Sequence, residues 1–295
     1  MPTWDKILNE VEQLNPLVVL SRYIEKLSGE TGRTTVCYMT AFSVIKPPVP
    51  QPFHAIVDQD MQGFMTCAHN VDKDNVDIVL HTPGGDYEAA KRIINYLQSI
   101  FGHIRVIVPH IALSGGTLMA CASDEIFMGP YSSLGPTDPQ VLLGKNYVPI
   151  NAIIDEFRQA YDEVSKDPRK ALLWHERLKQ VPFGRLRAIE TMRENAIQYL
   201  ADLLVKRNCA GKDAATIQNA ARYLNSDAMH TSHGRGICLD EARSAGLNVH
   251  DLSKEKVLED IVLSVYHAAT ILFERTSVQK VIINNKDGRY ILHHG

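Results

Sequence analysis

Two glycine-bearing turns, each following a short apolar run, constrain this chain more than any other feature. Val76 to His81 (VDIVLH) has the length and apolar character of a buried strand, and it runs into Thr82-Pro83-Gly84-Gly85. Arg105 to Pro109 (RVIVP) is a second such run, with Ser114-Gly115-Gly116-Thr117 after it. Between them, from about Asp86 to Phe101, Ala90, Ile93, Ile94, Leu97 and Ile100 recur at helical spacing. Ser114 opens a short helix of small residues reaching Ala122, and Glu125 to Met128 is a third apolar run. Strand, helix, strand, helix, strand at this spacing requires crossover connections and therefore a parallel sheet.

Both turns then stand at the carboxyl ends of consecutive parallel strands, where open α/β sheets place their sites. Backbone N–H groups from the two turns can point at one spot, and acyl transfer needs such a pair of donors to hold a developing oxyanion. Glycine allows unusual dihedrals and a close approach of a second backbone. Ser114 would present its hydroxyl beside those donors. Taken singly, HTPGG at 81–85 is a common loop, and ALSGG at 112–116 reads as a helix N-cap whose serine oxygen accepts from an N–H two or three residues on. The ordered pair carries the information. It is not the GxSxG elbow, which needs glycine where Ala112 stands.

The stretches LHTPGGDYEAAKRIINYL and VIVPHIALSGGTLMACASDEIFMGPYSSLGPTDPQ resemble the Clp protease and signal peptide peptidase A superfamily, and above all its soluble branch, the serine dehydrogenase proteinase family. GRGICLDEARSAGLNV and KVIINNKDGRY also look like that branch, so the resemblance covers roughly residues 30–290. It implies an α/β fold, a crotonase-like (ClpP-like) spiral of ββα units with an added helical segment. It further implies a serine peptidase with Ser114 as nucleophile and with Gly85 and Gly115 as oxyanion donors. Related sequences often carry alanine in place of Gly115, a change that leaves the backbone donor intact.

The general base is left between two residues. Clp proteases take it from a histidine in the stretch that here reads Ser132 to Gln140 and holds none. Signal peptide peptidase A uses a lysine, often in a Lys-Asp…Pro-Arg context, which Lys166-Asp167-Pro168-Arg169 matches. A lysine base must be desolvated so that its neutral amine can take the serine proton, whereas Lys166 lies in a charged run typical of a solvated face. His233 is the rival, lying just before the segment that resembles GICLDEARSAGL, near the place of the Clp triad acid. Histidine suits the task because it titrates near neutral pH, although a loop histidine bonded to backbone is the plainer account. His81 is expected to brace the PGG turn, and Asp138 to orient a base or to form a turn with Pro139. His230, His233 and Cys238 lack any CxxC or HExxH frame, so no metal is expected. No pyridoxal-phosphate lysine motif stands out either, and no cofactor is expected. The alternative function is a non-proteolytic crotonase-fold protein that binds an acyl group or acts as a scaffold subunit.

The rest of the chain sets the frame. Residues 1–33 read as an N-terminal helical extension in two pieces broken at Pro16, and 34–295 as the ClpP/crotonase-like domain with a helical segment at 151–222. Thr34 to Ile45 is a strand ended by Pro47, Pro48, Pro50 and Pro52. Gly236 to Leu239 and Gly246 to Val249 read as strands around a short helix. Glu255 to Glu274 is a long helix, and Lys280 to His293 a hairpin turning at Lys286-Asp287-Gly288. A net charge of −3 without a basic run argues against nucleic acid. Five dispersed cysteines point to a reducing compartment, the cytoplasm. No stretch approaches the roughly 20 apolar residues of a membrane span. The expected partners are a peptide or unfolded protein substrate and further copies of the chain in a homo-oligomer; any partner ATPase or adaptor is left open.

Overall fold

The computed structural model describes residues 4–45, 50, 53–144, 146–179, 181, 184–225 and 235–294. Its centre is a sheet of seven strands: β1 (Thr34–Thr40), β2 (Asn75–His81), β3 (His103–Val108), β5 (Glu125–Met128), β9 (Val249–Asp251), β10 (Val278–Asn284) and β11 (Arg289–His293). Their spatial order is β11-β10-β1-β2-β3-β5-β9. The five strands from β1 to β9 are parallel, and β10 joins β1 antiparallel. β10 and β11 form the expected hairpin. A short pair, β4 (Ile111–Ala112) and β6 (Ser133–Leu134), runs separately from the main sheet. This mixed α/β architecture, a mostly parallel sheet with helices on both faces, is the expected class.

Side-chain alternation divides the core into two layers. Val36, Tyr38, Val76, Ile78 and Leu80 face one layer with Phe64, Ala90 and Ile94, while Cys37, Met39, Val79 and Ile107 face the other. The first layer is covered by α3 (Asp60–Cys67), α4 (Tyr87–Ile100) and α5 (Gly115–Cys121), with α8 (Arg185–Lys206) and α9 (Ala214–Leu224). The second is covered by α1 (Trp4–Gln13), α2 (Pro16–Thr31) and the long helix α11 (Lys256–Arg275). The break between α1 and α2 falls where proline predicts it. Pro16 takes the first helical position, where its missing N–H is no loss, and Asn15 caps Leu17 N at 2.9 Å.

The helical stretch comprises α6 (Ile150–Lys166), α7 (Ala171–Leu178), α8 and α9. α6 has a core of its own, with Ile150, Ile153 and Ile154 against Val141 and Ile189. A hairpin of β7 (Gln140–Leu143) and β8 (Asn146–Pro149) precedes it. One expected strand is absent: Gly236 to Leu239 forms a single bridge, Ile237 to Leu134, before the helix α10 (Leu239–Ser244). Glu241 explains the early stop. Its carboxylate accepts from Cys238 N at 2.9 Å, which commits that residue to capping the helix.

Among the described residues, two buried carboxylates, Asp77 and Asp60, hold ion pairs that tie elements together. Asp77 is fully buried and accepts from Arg33 Nε at 2.6 Å and, in bidentate fashion, from Arg105 at 2.8 and 2.6 Å. Lys280 and Asp60, also buried, meet at 2.8 Å. Removing one partner of a buried pair leaves the other charge uncompensated. Asp77→Ala is therefore expected to destabilise the protein by about 3–5 kcal/mol, read as a lowered urea midpoint with the slope unchanged.

Candidate active site

Backbone geometry brings the two glycine turns into contact. Thr82 N donates to Ile111 O and Leu113 N donates to Thr82 O, each at 3.0 Å, which zips the first turn to the chain leading into Ser114. On the other side, Ile56 N donates to Gly84 O at 2.8 Å, and Asp86 N donates to Ile56 O at 2.9 Å. The PGG turn is thus clamped between residues 55–57 and 111–113. Only glycine fits here. Gly84 has φ +92°, and a β-carbon on it would lie 2.6 Å from Leu113 O and 2.7 Å from Ser114 Cβ. One on Gly85 would lie 2.3 Å from Ile56 N and 2.4 Å from Ile56 O.

Gly85 and Gly115 come together as the sequence predicts. A β-carbon on Gly115 would stand 3.6 Å from Gly85 N. The Gly115 N–H belongs to the first turn of α5, where helix geometry offers no acceptor. Among the described residues, neither N–H has a hydrogen-bond acceptor. Gly85 is exposed, while Gly115 is buried at the start of α5. Two idle backbone donors side by side form the kind of hole that an oxyanion fills.

Ser114 occupies the N-cap position of α5, yet its side chain makes no capping hydrogen bond. The simple N-cap reading therefore fails. Its backbone sits at φ +50°, ψ −113°, a region that costs a non-glycine residue about 1–3 kcal/mol. The neighbours impose it. Gly116 N donates to Leu113 O at 2.8 Å, and Leu118 N to Ser114 O at 3.1 Å. Thr117 Oγ1 lies 2.9 Å from Ala112 O, Gly135 O and Gly135 N, which fastens the start of α5 to the loop after β6. The strained serine turn of hydrolase elbows is thus reached without their GxSxG pattern.

His81 braces a different element from the one expected. Its Nδ1 accepts from Ile111 N at 3.4 Å and its Nε2 lies 3.0 Å from Ser43 Oγ, so it holds the segment entering Ser114 rather than the PGG turn. Burial, with His110 stacked beside it, pushes its pKa down from 6.5 to about 3. The neutral ring accepts at Nδ1 and donates from Nε2 to Ser43. His110 Nδ1 lies 2.9 Å from the Tyr266 hydroxyl, and burial lowers its pKa too.

The two base candidates fare differently. Lys166 is the last residue of α6 and is exposed, beside the Asp167–Arg169 and Glu163–Lys170 ion pairs. The single chain does not desolvate it. His233 lies outside the described residues, as does His230. The chain on either side of them is placed: Thr137 N donates to Leu224 O at 2.7 Å, and Leu134 and Ile237 exchange backbone bonds at 3.0 and 2.8 Å. Both flanks meet the 134–137 loop, which itself packs on Leu113 through Gly135. Asp138, next in that loop, is buried. A cleft of about 1100 Å³ among α6, α8, α9 and α10, lined by Asn151, Arg193, Arg222 and Asn225, includes neither Ser114 nor the glycine donors.

A serine in a strained turn beside two such backbone donors could support acyl transfer. Residues 51–287 match the model of the ClpP-like SDH-type serine proteinases. The chain belongs to that family. Two uncharacterized proteins of Methanocaldococcus jannaschii are similar over part of their length. One is 42% identical over 87 residues and the other 36% identical over 92. These matches cover 29% and 31% of this chain, and 30% of each relative. A solved structure, a mutant of the 1510-N membrane-bound stomatin-specific protease, superposes with a TM-score of 0.41 at 16% identity, over 69% of this chain and 79% of that one. No helix among the described residues is long and apolar enough to cross a membrane.

Two outcomes follow from this geometry. Ser114→Gly removes both the hydroxyl and the strain, so it is expected to raise stability by about 1 kcal/mol while abolishing reactivity; denaturation midpoints and active-site labelling check the two halves. The second concerns acid. His81 is neutral when folded and binds a proton near pH 6.5 when unfolded. Its contribution is complete above that pH and is lost as pH falls toward 3. His81→Asn keeps an acceptor for Ile111 N–H and should flatten the slope of stability against pH in that window.

Proposed function

We propose that the protein is a serine peptidase in which Ser114 attacks a peptide carbonyl while the Gly85 and Gly115 N–H groups receive the oxyanion. The observation that carries this reading is the juxtaposition of the uncapped, strained Ser114 with two unpaired donors from the neighbouring turn and helix. In the first step Ser114 Oγ bonds to the carbonyl carbon as its proton passes to a base. The tetrahedral oxygen rests between the two N–H groups. Collapse expels the amine, which takes the proton back, and water repeats the sequence to release the acid and restore the serine.

His233 is the base that we favour, because both flanks of its segment reach the loop against Leu113. Lys166 acts in this role only where another surface buries it. Support for such a surface lies in the same stretch of chain: Leu142, Tyr147, Tyr161, Leu172, Leu173 and Met192 are exposed there, from 41% to 76% of their area. We assign these exposed apolar side chains of one stretch of chain to contacts between copies of the protein. An assembly of this kind would enclose the serine and admit unfolded chains or short peptides.

A fluorophosphonate probe tests the nucleophile, with Ser114→Ala as control. Labelling of the wild-type protein at Ser114 is expected; a folded oligomer that takes no label would instead favour an acyl-binding or scaffold role on the same fold. Activity on an unstructured peptide should rise with pH, because only the neutral base accepts the proton. A histidine base places the rise near its ordinary value of about 6.5, and His233→Ala should then lose as much activity as Ser114→Ala. A profile rising well above that pH, with near-normal activity in His233→Ala and none in Lys166→Ala, would transfer the role to Lys166.

A further inference from the structure

Lys280 is fully buried on β10. Its Nζ donates to Asp60 Oδ1 at 2.8 Å, Asp60 Oδ2 at 3.0 Å and Ala55 O at 2.7 Å. All three of these partners are acceptors, and the Asp60 carboxylate favours the ammonium against the burial that lowers the lysine's pKa from 10.5. Asp60 also accepts from the Tyr38 hydroxyl at 2.8 Å and from Val57 N at 3.0 Å. An apolar pair of similar volume can serve stability as well as a buried ion pair does, so stability alone does not account for this one. The bond to Ala55 points to its use.

Ala55 C=O and Ile56 N–H are the two ends of one peptide group. Ile56 N–H donates to Gly84 O at 2.8 Å. Gly84 C=O and Gly85 N–H are in turn the two ends of the next peptide group, and Gly85 N–H is an oxyanion donor. The bonds therefore run in series from the ammonium, through two peptide groups, to the spot beside Ser114. Each donor draws electron density the same way and makes the next N–H a stronger donor. Asp60 acts on the adjoining peptide in the complementary sense: by accepting from Val57 N–H it enriches Ile56 O, the acceptor of Asp86 N–H, and so fixes the far side of Gly85.

We propose that Lys280 is a positioning residue for the oxyanion hole, whose ammonium polarises the Gly85 N–H through the Ala55–Ile56 and Gly84–Gly85 peptide groups. This rests on the peptidase reading above. The effect appears when negative charge develops on the substrate oxygen, so it belongs to kcat and leaves KM nearly untouched.

The test removes both charges and keeps the shape. In the Asp60→Asn, Lys280→Met double variant, the asparagine oxygen still accepts from Tyr38 and Val57. Lys280→Met alone leaves a buried carboxylate and risks unfolding. The folded double variant should show kcat and fluorophosphonate labelling reduced about tenfold, less than the hundredfold or more expected when an oxyanion donor is lost outright, with KM within about twofold. Labelling at the wild-type rate, or a loss confined to KM, would overturn the proposal. A second readout does not depend on activity. The chain contains two Gly–Gly peptides, 84–85 and 115–116, so labelling with carbonyl-13C glycine and 15N glycine yields two coupled amide resonances. The 84–85 amide should lie downfield in the wild type and move upfield in the double variant, while 115–116 stays in place. An unmoved 84–85 resonance would refute the relay. If the double variant does not fold, the wild-type spectrum decides, since a 84–85 amide at the ordinary glycine position refutes it. A wild-type protein that takes no label would refute the peptidase reading, and the amide shift would still judge the polarised chain by itself.

Discussion

Three backbone segments approach one another more closely than side chains allow, and the site depends on that approach. Residues 55–57, 82–86 and 111–115 lie edge to edge, joined by hydrogen bonds of 2.8 to 3.0 Å. A β-carbon at Gly84 or Gly85 would fall within 2.7 Å of a neighbouring backbone or Ser114 atom. Glycine at these places is a condition of assembly rather than a source of flexibility. Because the segments hydrogen-bond to each other through neighbouring peptide groups, the N–H groups of Gly85 and Gly115 are left without an acceptor among the described residues. The donor pair is a residue of the packing around it.

The parallel sheet sets up this approach. β2 and β3 end side by side, so the turns that follow them emerge together. The two layers of core then hold those ends still. α4 begins at once after Gly85, capped by Asp86, whose Oδ1 accepts from Ala89 N at 2.7 Å. Its buried face, Ala89, Ala90, Ile93, Ile94 and Leu97, is anchored in the first layer. α5 is buried along its whole length. Neither turn can shift without moving a buried helix, and preorganised donors of this kind need no rearrangement as charge develops.

Much of this was legible in the sequence because the informative signals are local. VDIVLH, RVIVP and EIFM are short apolar runs with a proline at or just after their end, and all three are strands. Pro16, the Asp86 cap and the Lys286-Asp287-Gly288 turn act within a few residues, and each ends or starts an element where expected. What the sequence hid acts at long range. Ile56 follows a proline-rich stretch and looks like loop, yet it is the strand-like partner of Gly85. Lys280 and Asp60 are 220 positions apart, and nothing local in either distinguishes it from a surface charge. Gly236 to Leu239 looked like a strand by composition, but a capping carboxylate three residues on, Glu241, diverted it into a helix start. Ser114 stands at the start of α5 as its sequence implies, and only the structure shows that its side chain makes no capping hydrogen bond.

That last point bears on how the site is maintained. A serine at a helix start normally gains about 1 kcal/mol by accepting from the first turn, and backbone N–H groups normally find acceptors. Here the serine forgoes its cap, adopts positive φ, and stands beside two N–H groups that have no acceptor among the described residues. Each of these lowers stability, and a sequence shaped by folding alone would remove them one at a time. They occur together within a few residues, in a core where Thr117, His81 and the 111–113 pairing hold the strained turn from three sides. Local disfavour surrounded by firm support is what a preorganised reactive centre requires.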